Sequence, residues 1–424
     1  MISNKFLKNG LWLLFEKITS LVSSLFITVY TARYLGPEGV GEINYALAIG
    51  ALIVPLSQLG SNILIFDKSV KNKERAALLI ISSQKIRSCI YISLSMSIIL
   101  ITLLVGDNNV IIISGILFSL YFTSLDSFKP FFDGVLSAKK NVISSQLGMF
   151  FSQLTRLALV TLNASVVFFC LPYIVNTLLP YLYKKRLFFK EYGNVNISER
   201  KKRKYGKYSF LAGLPLAISS FSVVIYVQIG QVILANKTDM TQVGLYSAAN
   251  TLSQIWLFVP ITVMTVLLNY VLNDKKNKNT GFSFVYLINS IISLLFIAPV
   301  FSFSNELIKF TFGNEFVGAS PVLNVLIISS FFVIWGYIGV RIIVNQGGHK
   351  YAMKKMACMA IFNLIISYYL IGSYGVIGAA YSVLATEIIS ATIANYFFKK
   401  FFILKVQFES IRSLSYFKNY LTRE

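Results

Sequence analysis

The chain has 424 residues, of which 55% are hydrophobic and 13% charged, and 39 Lys and Arg residues against 17 Asp and Glu give a net charge of +22. This apolar composition excludes an ordinary water-soluble globule. Cys89, Cys170 and Cys358 form no CxxC spacing and His349 is the single histidine, so the sequence predicts no metal site and no cofactor.

Twelve apolar stretches of about 20 residues recur along the chain, the length that crosses a hydrocarbon core about 30 Å thick. The first six are predicted at 9–31, 40–65, 86–105, 110–128, 143–162 and 164–183. The other six are predicted at 208–230, 243–272, 282–301, 319–345, 353–371 and 375–398. Continuous apolar runs of this length indicate helices, not the alternating strands of a barrel, so the fold class is an all-α membrane protein.

The first stretch resembles a signal sequence because Lys5 and Lys8 precede it. Glu16 and Lys17 interrupt its apolar run, and no convincing small-residue cleavage site follows. We therefore expect a retained first helix.

A basic stretch from Lys184 to Lys207 holds ten Lys and Arg residues and two Glu residues. It divides the chain into a six-helix bundle at 1–183, a basic cytoplasmic linker at 184–207, a second six-helix bundle at 208–400 and a basic cytoplasmic tail at 401–424. The positive charge of the linker is explained by its role in holding this loop on the cytoplasmic side of the membrane. Attraction of anionic membrane lipids or of a phosphorylated substrate is an alternative. Nucleic-acid binding is not predicted, because no reading helix or base-stacking platform accompanies the basic run.

Lys and Arg residues are concentrated in every second predicted loop, and this distribution fixes the predicted topology. With the amino terminus inside, 33 of the 39 Lys and Arg residues fall in cytoplasmic segments and their flanks, three in outer loops and three within spans. Such a bias is the positive-inside rule, so both termini are predicted to be cytoplasmic.

A weak internal repeat supports two related halves. The segment Gly39–Ala46 opens the second span and Gln242–Ala249 opens the eighth, and a proline follows each, at Pro55 and Pro260. The pattern predicts bundles related by a pseudo-two-fold axis, an arrangement that permits rocking about a shared cavity.

Ionisable residues within spans are costly in lipid and mark candidate functional sites. Lys17 and Arg156 are candidates to line a water-filled cavity and bind an anionic group of the substrate. The alternative is a structural ion pair of either residue with Glu16 or Asp126. Arg341 is a third candidate cation, although it and Asp126 lie near cytoplasmic span ends, where snorkelling to the interface is the favoured explanation of a charge.

Glu387 lies near the middle of the twelfth predicted span with no basic residue within a helical turn. It is a candidate to carry a coupling proton or to pair with a substrate group, and a hydrogen-bonded structural role is the alternative. Glu16 and Asp126 are further candidates for a coupling or structural acid.

Enzyme signatures are missing from the sequence, which contains no Walker loop, no HExxH and no GxSxG. We therefore predict that the chain is not an enzyme.

The segment Ala32–Gly41, with the sequence ARYLGPEGVG, resembles the first outer loop of the bacterial O-antigen (Wzx-type) polysaccharide repeat-unit flippases. The segment Val243–Ala249 resembles the eighth-helix signature of the same family. These flippases form a branch of the multidrug, oligosaccharidyl-lipid and polysaccharide (MOP) exporter superfamily, whose MATE-like fold has two six-helix bundles around a cationic cavity. The resemblance covers essentially the whole chain.

The resemblance implies a carrier that moves an undecaprenyl-pyrophosphate-linked sugar repeat unit across the bacterial inner membrane, coupled to an ion gradient. It also implies lipopolysaccharide or other surface polysaccharide biosynthesis, with other polysaccharide assembly proteins as partners. The motif residues look structural, with Gly36 and Pro37 at a turn and Gly39 and Gly41 allowing close packing. The alternatives are a MATE-like multidrug exporter, an integral-membrane polysaccharide-processing enzyme and a non-transporting assembly subunit.

Overall fold

A computed structural model of the chain describes residues 4–192, 198–273, 278–399 and 401–412. In the first helix the side chains are described from residue 27 onward, together with those of Trp12 and Thr19. The regular secondary structure in these ranges consists of α-helices and short 3-10 helices. Residue contacts divide the chain into two compact units, Met1–Val232 and Ile233–Glu424.

Eight helices begin in the first unit, and a 3-10 turn at Val166–Phe169 precedes the seventh. They are α1 (Asn4–Gln58), α2 (Ser61–Lys71), α3 (Lys73–Val105), α4 (Val110–Leu125), α5 (Phe128–Gly134), α6 (Ala138–Thr161), α7 (Cys170–Tyr192) and α8 (Glu199–Lys237). The predicted linker at 184–207 therefore overlaps the end of α7 and the start of α8.

Eight further helices begin in the second unit, with 3-10 turns at Asn314–Ala319 and Glu409–Arg412. They are α9 (Met240–Ile255), α10 (Phe258–Asn273), α11 (Lys278–Ser302), α12 (Ser304–Thr311), α13 (Ser320–Asn345), α14 (His349–Ala391), α15 (Ile393–Tyr396) and α16 (Phe402–Phe408).

Nine helical stretches among the described residues are long and apolar enough to cross a membrane. Each of the twelve predicted spans falls on one helix or on two successive helical elements, and three features account for the different count. The first predicted span lies on the amino-terminal part of α1, the polar α6 carries the fifth, and α14 carries the last two. The chain is an all-α, multi-pass membrane protein.

The ARYLGPEGVG motif forms a sharp break within α1. Gly36 has a φ of 66° inside this helix, which a residue with a Cβ adopts only at a cost. The Tyr34 hydroxyl donates to the carbonyl of Ala164 at 2.9 Å. A Cβ on Gly39 would lie 3.0 Å from Cγ2 of Val166. The motif therefore turns the chain and packs it against the segment that leads into α7.

A second break separates α1 from α2, where Leu59 and Gly60 both have positive φ values. Helix α8 packs directly on this break, since a Cβ added to Gly213 would lie 2.1 Å from the carbonyl oxygen of Leu59. Only a glycine allows this approach, because the contact is with backbone that no side-chain rotation can clear.

We expect Gly213→Val to destabilise the first unit by at least about 3 kcal/mol, the upper end of overpacking costs, because the clash is with backbone. The measurement is the thermal unfolding midpoint of the purified protein in detergent. The matched control is Gly230→Val on the same helix, where a new Cβ meets nothing within 4 Å. Equal midpoints for the two variants would contradict the packing described here.

The second repeat segment, Gln242–Ala249, lies on α9 and reaches a break in α14. Gly375 has a φ of 58° inside α14, and the side-chain oxygen of Gln242 accepts a hydrogen bond from the N–H of Val376 at 3.0 Å. That bond satisfies a backbone donor at the start of the second half of α14. The motif thus supports the break that separates the eleventh and twelfth predicted spans.

Candidate functional site

A cavity of about 860 Å³ lies within the first unit. It is lined by residues of α1, α2, α4, α5, α6 and α7. The polar lining includes four carboxamide side chains, namely Gln58, Asn62, Gln153 and Asn176. Hydroxyl groups, three cations and two carboxylates complete the polar part of the wall.

Two helices supply their lining residues at helical spacing, so that one face of each helix points into the cavity. On α6 these residues are Ser145, Met149, Ser152, Gln153 and Arg156. On α7 they are Asn176, Thr177, Pro180 and Lys184. A polar stripe on a membrane helix is stable only where it faces protein or water, which this cavity provides.

Helices α6 and α7 approach closely at Gly148 and Pro180. A Cβ added to Gly148 would lie 2.4 Å from Cγ of Pro180 and 3.1 Å from the carbonyl oxygen of Asn176. Pro180 has no N–H to pair with that carbonyl, which lies four residues earlier in the helix. The small residue and the proline together bring the polar faces of both helices to the same cavity.

Arg156 is the cation at one end of the cavity. Its guanidinium lies 4.8 Å from the ring centroid of Tyr173, a cation–π contact. The guanidinium makes no ion pair with any carboxylate in the described ranges of the chain. Among the described residues, this charge therefore contacts an aromatic ring instead of a carboxylate.

The other end of the cavity contains a buried ion pair between Lys184 and Asp126. The Lys184 side chain is 3% exposed and that of Asp126 16% exposed. The other carboxylate oxygen of Asp126 accepts the backbone N–H of Lys129 at 3.2 Å. Lys184 lies about 16 Å along the α7 axis from Tyr173, so the two ends of the cavity are well separated.

Arg87, on α3, is fully buried behind this ion pair. Its Nη2 donates to the carbonyl of Ser124, in the last turn of α4, where the helix dipole favours a cation. Its Nε and Nη1 have no hydrogen-bond partner among the described residues. Its charge lies close enough to that of Asp126 for the two to interact.

The cluster of Arg87, Asp126 and Lys184 lies beside an aromatic core. The buried aromatic residues of that core are Phe128, Phe131, Phe132, Tyr181 and Phe188. Apolar surroundings strengthen the interactions between charges and raise the cost of leaving any of them without a partner.

The structure brings two of the six predicted site residues, Arg156 and Asp126, to the same cavity. The ion pair of Asp126 is with Lys184, whereas Arg156 or Lys17 was the partner considered from the sequence. The side chains of Glu16 and Lys17 lie outside the described part of the chain, although both residues belong to α1.

The other two predicted residues lie in the second unit. Arg341 is an exposed residue of α13. Glu387 is a half-buried residue of α14, and its charge interacts with that of the buried Lys355, whose ammonium group donates to Oδ1 of Asn395 at 2.7 Å. Neither Arg341 nor Glu387 lines the cavity of the first unit.

The sequence alone did not indicate Lys184, Arg87 or the carboxamide lining as site residues. Lys184 falls in the predicted cytoplasmic linker and Arg87 in a predicted cytoplasmic flank, because both stand in basic runs near predicted span ends. Polar residues that recur at helical spacing within the fifth and sixth spans were the signal that could have found the cavity wall.

Residues 6–270 of this chain match the model of a protein family described as "Polysaccharide biosynthesis protein". The match covers more than half of the chain and includes every residue that lines the cavity. The chain belongs to this family.

Two relatives extend the comparison. The capsular polysaccharide biosynthesis protein CapF of Staphylococcus aureus is 23% identical over 420 residues, which cover 93% of this chain and 100% of CapF. The probable low-salt glycan biosynthesis flippase Agl15 of Haloferax volcanii is 28% identical over 217 residues, which cover 49% of this chain and 43% of Agl15.

Two solved structures show the fold that this family member adopts. The lipid II flippase MurJ, in an inward closed conformation, matches with a TM-score of 0.72 at 15% identity, over 99% of this chain and 93% of MurJ. An inward-facing multidrug resistance MATE transporter of the MOP superfamily matches with a TM-score of 0.69 at 14% identity, over 93% of this chain and 96% of the transporter. The MOP-type fold expected from the sequence is confirmed.

Proposed function

We propose that the chain is a flippase that moves undecaprenyl-pyrophosphate-linked oligosaccharide repeat units from the cytoplasmic to the outer leaflet of the bacterial plasma membrane. The observation that carries the proposal is the polar cavity of the first unit, with Arg156 free of any described carboxylate at one end. Membership of the polysaccharide biosynthesis family and the flippase named among the relatives support it.

The physical problem of lipid flipping is the polar head, because a charged pyrophosphate in hydrocarbon is prohibitively costly. The cavity offers that head a wet path while the polyprenyl chain stays in lipid. Arg156 is suited to the pyrophosphate because a guanidinium forms paired hydrogen bonds with phosphate oxygens. The four carboxamides and the hydroxyl groups of the wall present donors and acceptors that match sugar hydroxyls.

Transport proceeds in this proposal by alternating access driven by an ion gradient. Glu387 is the candidate coupling acid, since it is a half-buried carboxylate whose charge interacts with a buried lysine on the same helix, Lys355. Both termini face the cytoplasm, as the distribution of Lys and Arg residues predicts.

A multidrug exporter of the same superfamily is the second candidate, and Asp126 and Asp133 in the cavity wall are the observation in its favour. A cationic drug needs a carboxylate that is free to pair with it. Asp126 is already paired with Lys184, and Asp133 accepts a hydrogen bond from Asn141 at 2.7 Å, so the lining suits an anion better.

Deletion of the gene tests the function. We expect lipid-linked repeat units to accumulate on the cytoplasmic leaflet and surface polysaccharide to be lost, with recovery when the gene is returned. Normal surface polysaccharide in the deletion strain, in the absence of a second gene of this family, would contradict the proposal. Sensitivity to cationic dyes without a polysaccharide defect would favour the exporter.

A further inference from the structure

The cation at the end of the cavity away from Arg156 is paired with a carboxylate. Lys184 lines the cavity, yet its ammonium group is paired with Asp126, which lines the cavity beside it. In this arrangement Lys184 has little charge to offer to a ligand. Arg156, by contrast, has no such partner in the described ranges.

Arg87 provides an alternative partner for Asp126. It is fully buried, and two of its nitrogens, Nε and Nη1, have no acceptor among the described residues. Buried guanidinium donors without acceptors are costly, so a nearby carboxylate that becomes free will be drawn to them. The cluster thus contains two buried cations and one carboxylate that can pair with either.

Asp126 lies where its backbone can adjust. It stands between the end of α4 at Leu125 and the start of α5 at Phe128, with a non-helical φ of −71° and ψ of 77°. A rotation of its side chain from Lys184 to Arg87 breaks no backbone hydrogen bond of Asp126, although it disturbs the bond that the Lys129 N–H donates to the carboxylate.

We propose that Asp126 exchanges partners when a phosphate group binds, so that Lys184 becomes an anion-binding residue of the cavity while Arg87 takes over the carboxylate. Lys184 then binds the ligand directly, and Arg87 is a positioning residue that never touches it. The inference rests on the proposed function and adds a second phosphate position to it. That position lies on α7 about 16 Å along the helix axis from Tyr173, the residue that Arg156 contacts.

The energetic reason for the exchange is charge compensation in an apolar setting. Release of Lys184 without a substitute would leave Asp126 uncompensated beside the aromatic core, which costs several kcal/mol. With Arg87 in place, the carboxylate is paired both before and after the ligand binds. Affinity at this position therefore depends on a residue that the ligand never contacts.

The test is a calorimetric titration of the purified protein in detergent with farnesyl pyrophosphate, which measures binding affinity. Farnesol is the uncharged comparison. We expect Arg87→Met to weaken binding about tenfold, a typical coupling between sites, because Lys184 can then leave Asp126 only at the cost of an unpaired carboxylate. Asp126→Asn in the Arg87→Met background should restore binding, since Lys184 no longer has a carboxylate to hold it.

A double variant separates partner exchange from simple attraction by a nearby charge. Lys184→Met should weaken binding, and Lys184→Met with Arg87→Met should weaken it no further, because there is no lysine left to release. Additive losses would overturn the exchange. The control is Lys185→Met, which removes an exposed cation from the adjacent position of α7 and should leave affinity unchanged.

Other outcomes also decide the matter. The inference is overturned, and the proposed flippase left intact, if Arg87→Met binds with wild-type affinity. The same holds if the double variant Arg87→Met with Asp126→Asn unfolds at the wild-type temperature and yet does not recover binding. Absence of any pyrophosphate binding by the wild-type protein would overturn both. Parallel titration with inorganic pyrophosphate shows whether the same pattern holds without the lipid, in which case Lys184 recognises the phosphate group itself.

Discussion

Arg156→Glu is expected to abolish transport while the protein is still inserted at normal levels. The substitution replaces the cation at one end of the cavity with an anion that repels a pyrophosphate. Loss of a charge-assisted hydrogen bond alone is worth about 1.5 to 3 kcal/mol, or roughly 10-fold to 100-fold in affinity. The measurement is surface polysaccharide in a deletion strain that carries the variant gene.

Two further variants sharpen this expectation. Arg156→Lys keeps the charge but loses the planar donor fork, so partial activity is expected. Lys139→Glu makes the same change of charge at an exposed position of α6 that does not line the cavity, and it should retain activity. Full polysaccharide production by Arg156→Glu would exclude this residue from substrate binding.

Asp126→Asn is expected to cost more stability than any other single change in the charged cluster. It leaves both Lys184 and Arg87 buried without a counter-charge, and removal of one partner from a buried pair typically costs about 3 to 5 kcal/mol. Lys184→Met should cost much less, because Arg87 remains to compensate the carboxylate. Thermal unfolding of the purified variants in detergent measures both effects.

A double variant completes this experiment. Asp126→Asn together with Arg87→Met leaves one cation at the cavity wall and should recover most of the lost stability. Asp67→Asn is the control, since it neutralises an exposed carboxylate of α2. If Lys184→Met destabilised the protein as much as Asp126→Asn, Arg87 would not be an alternative partner for the carboxylate.

The helical architecture was predictable because hydropathy alone reports whether a segment is long enough to cross lipid. The break at Gly36 was predictable for a local reason as well, since a Gly-Pro pair favours a turn whatever the surroundings. The sequence did not show that this turn joins two helical segments directly, with no loop between them, because that depends on how α1 packs against the segment at Val166.

Within the site, Arg156 was found because a charge in the middle of an apolar run is conspicuous. Lys184 and Arg87 were not found, because counts of basic residues assign every cation near a span end to water. Their burial comes from contacts between residues far apart in the chain, such as Lys184 with Asp126, 58 positions away. No local pattern encodes that pairing.

The four carboxamides of the wall illustrate a second limit. Gln58, Asn62, Gln153 and Asn176 lie on four different helices, and each is unremarkable in its own segment. They acquire a common role only when the helices pack around one cavity. Periodicity within α6 and α7 was the one signal available beforehand.

The most direct measurement of substrate binding in this cavity is photo-crosslinking with an undecaprenyl-pyrophosphate glycan that carries a light-activated group beside the pyrophosphate. Mass spectrometry of the crosslinked protein should place the adducts on the cavity faces of α6 and α7, between residues 145 and 156 and between residues 173 and 184, and Arg156→Glu should suppress them. Adducts that lie elsewhere and persist in Arg156→Glu would contradict a headgroup site in the first unit.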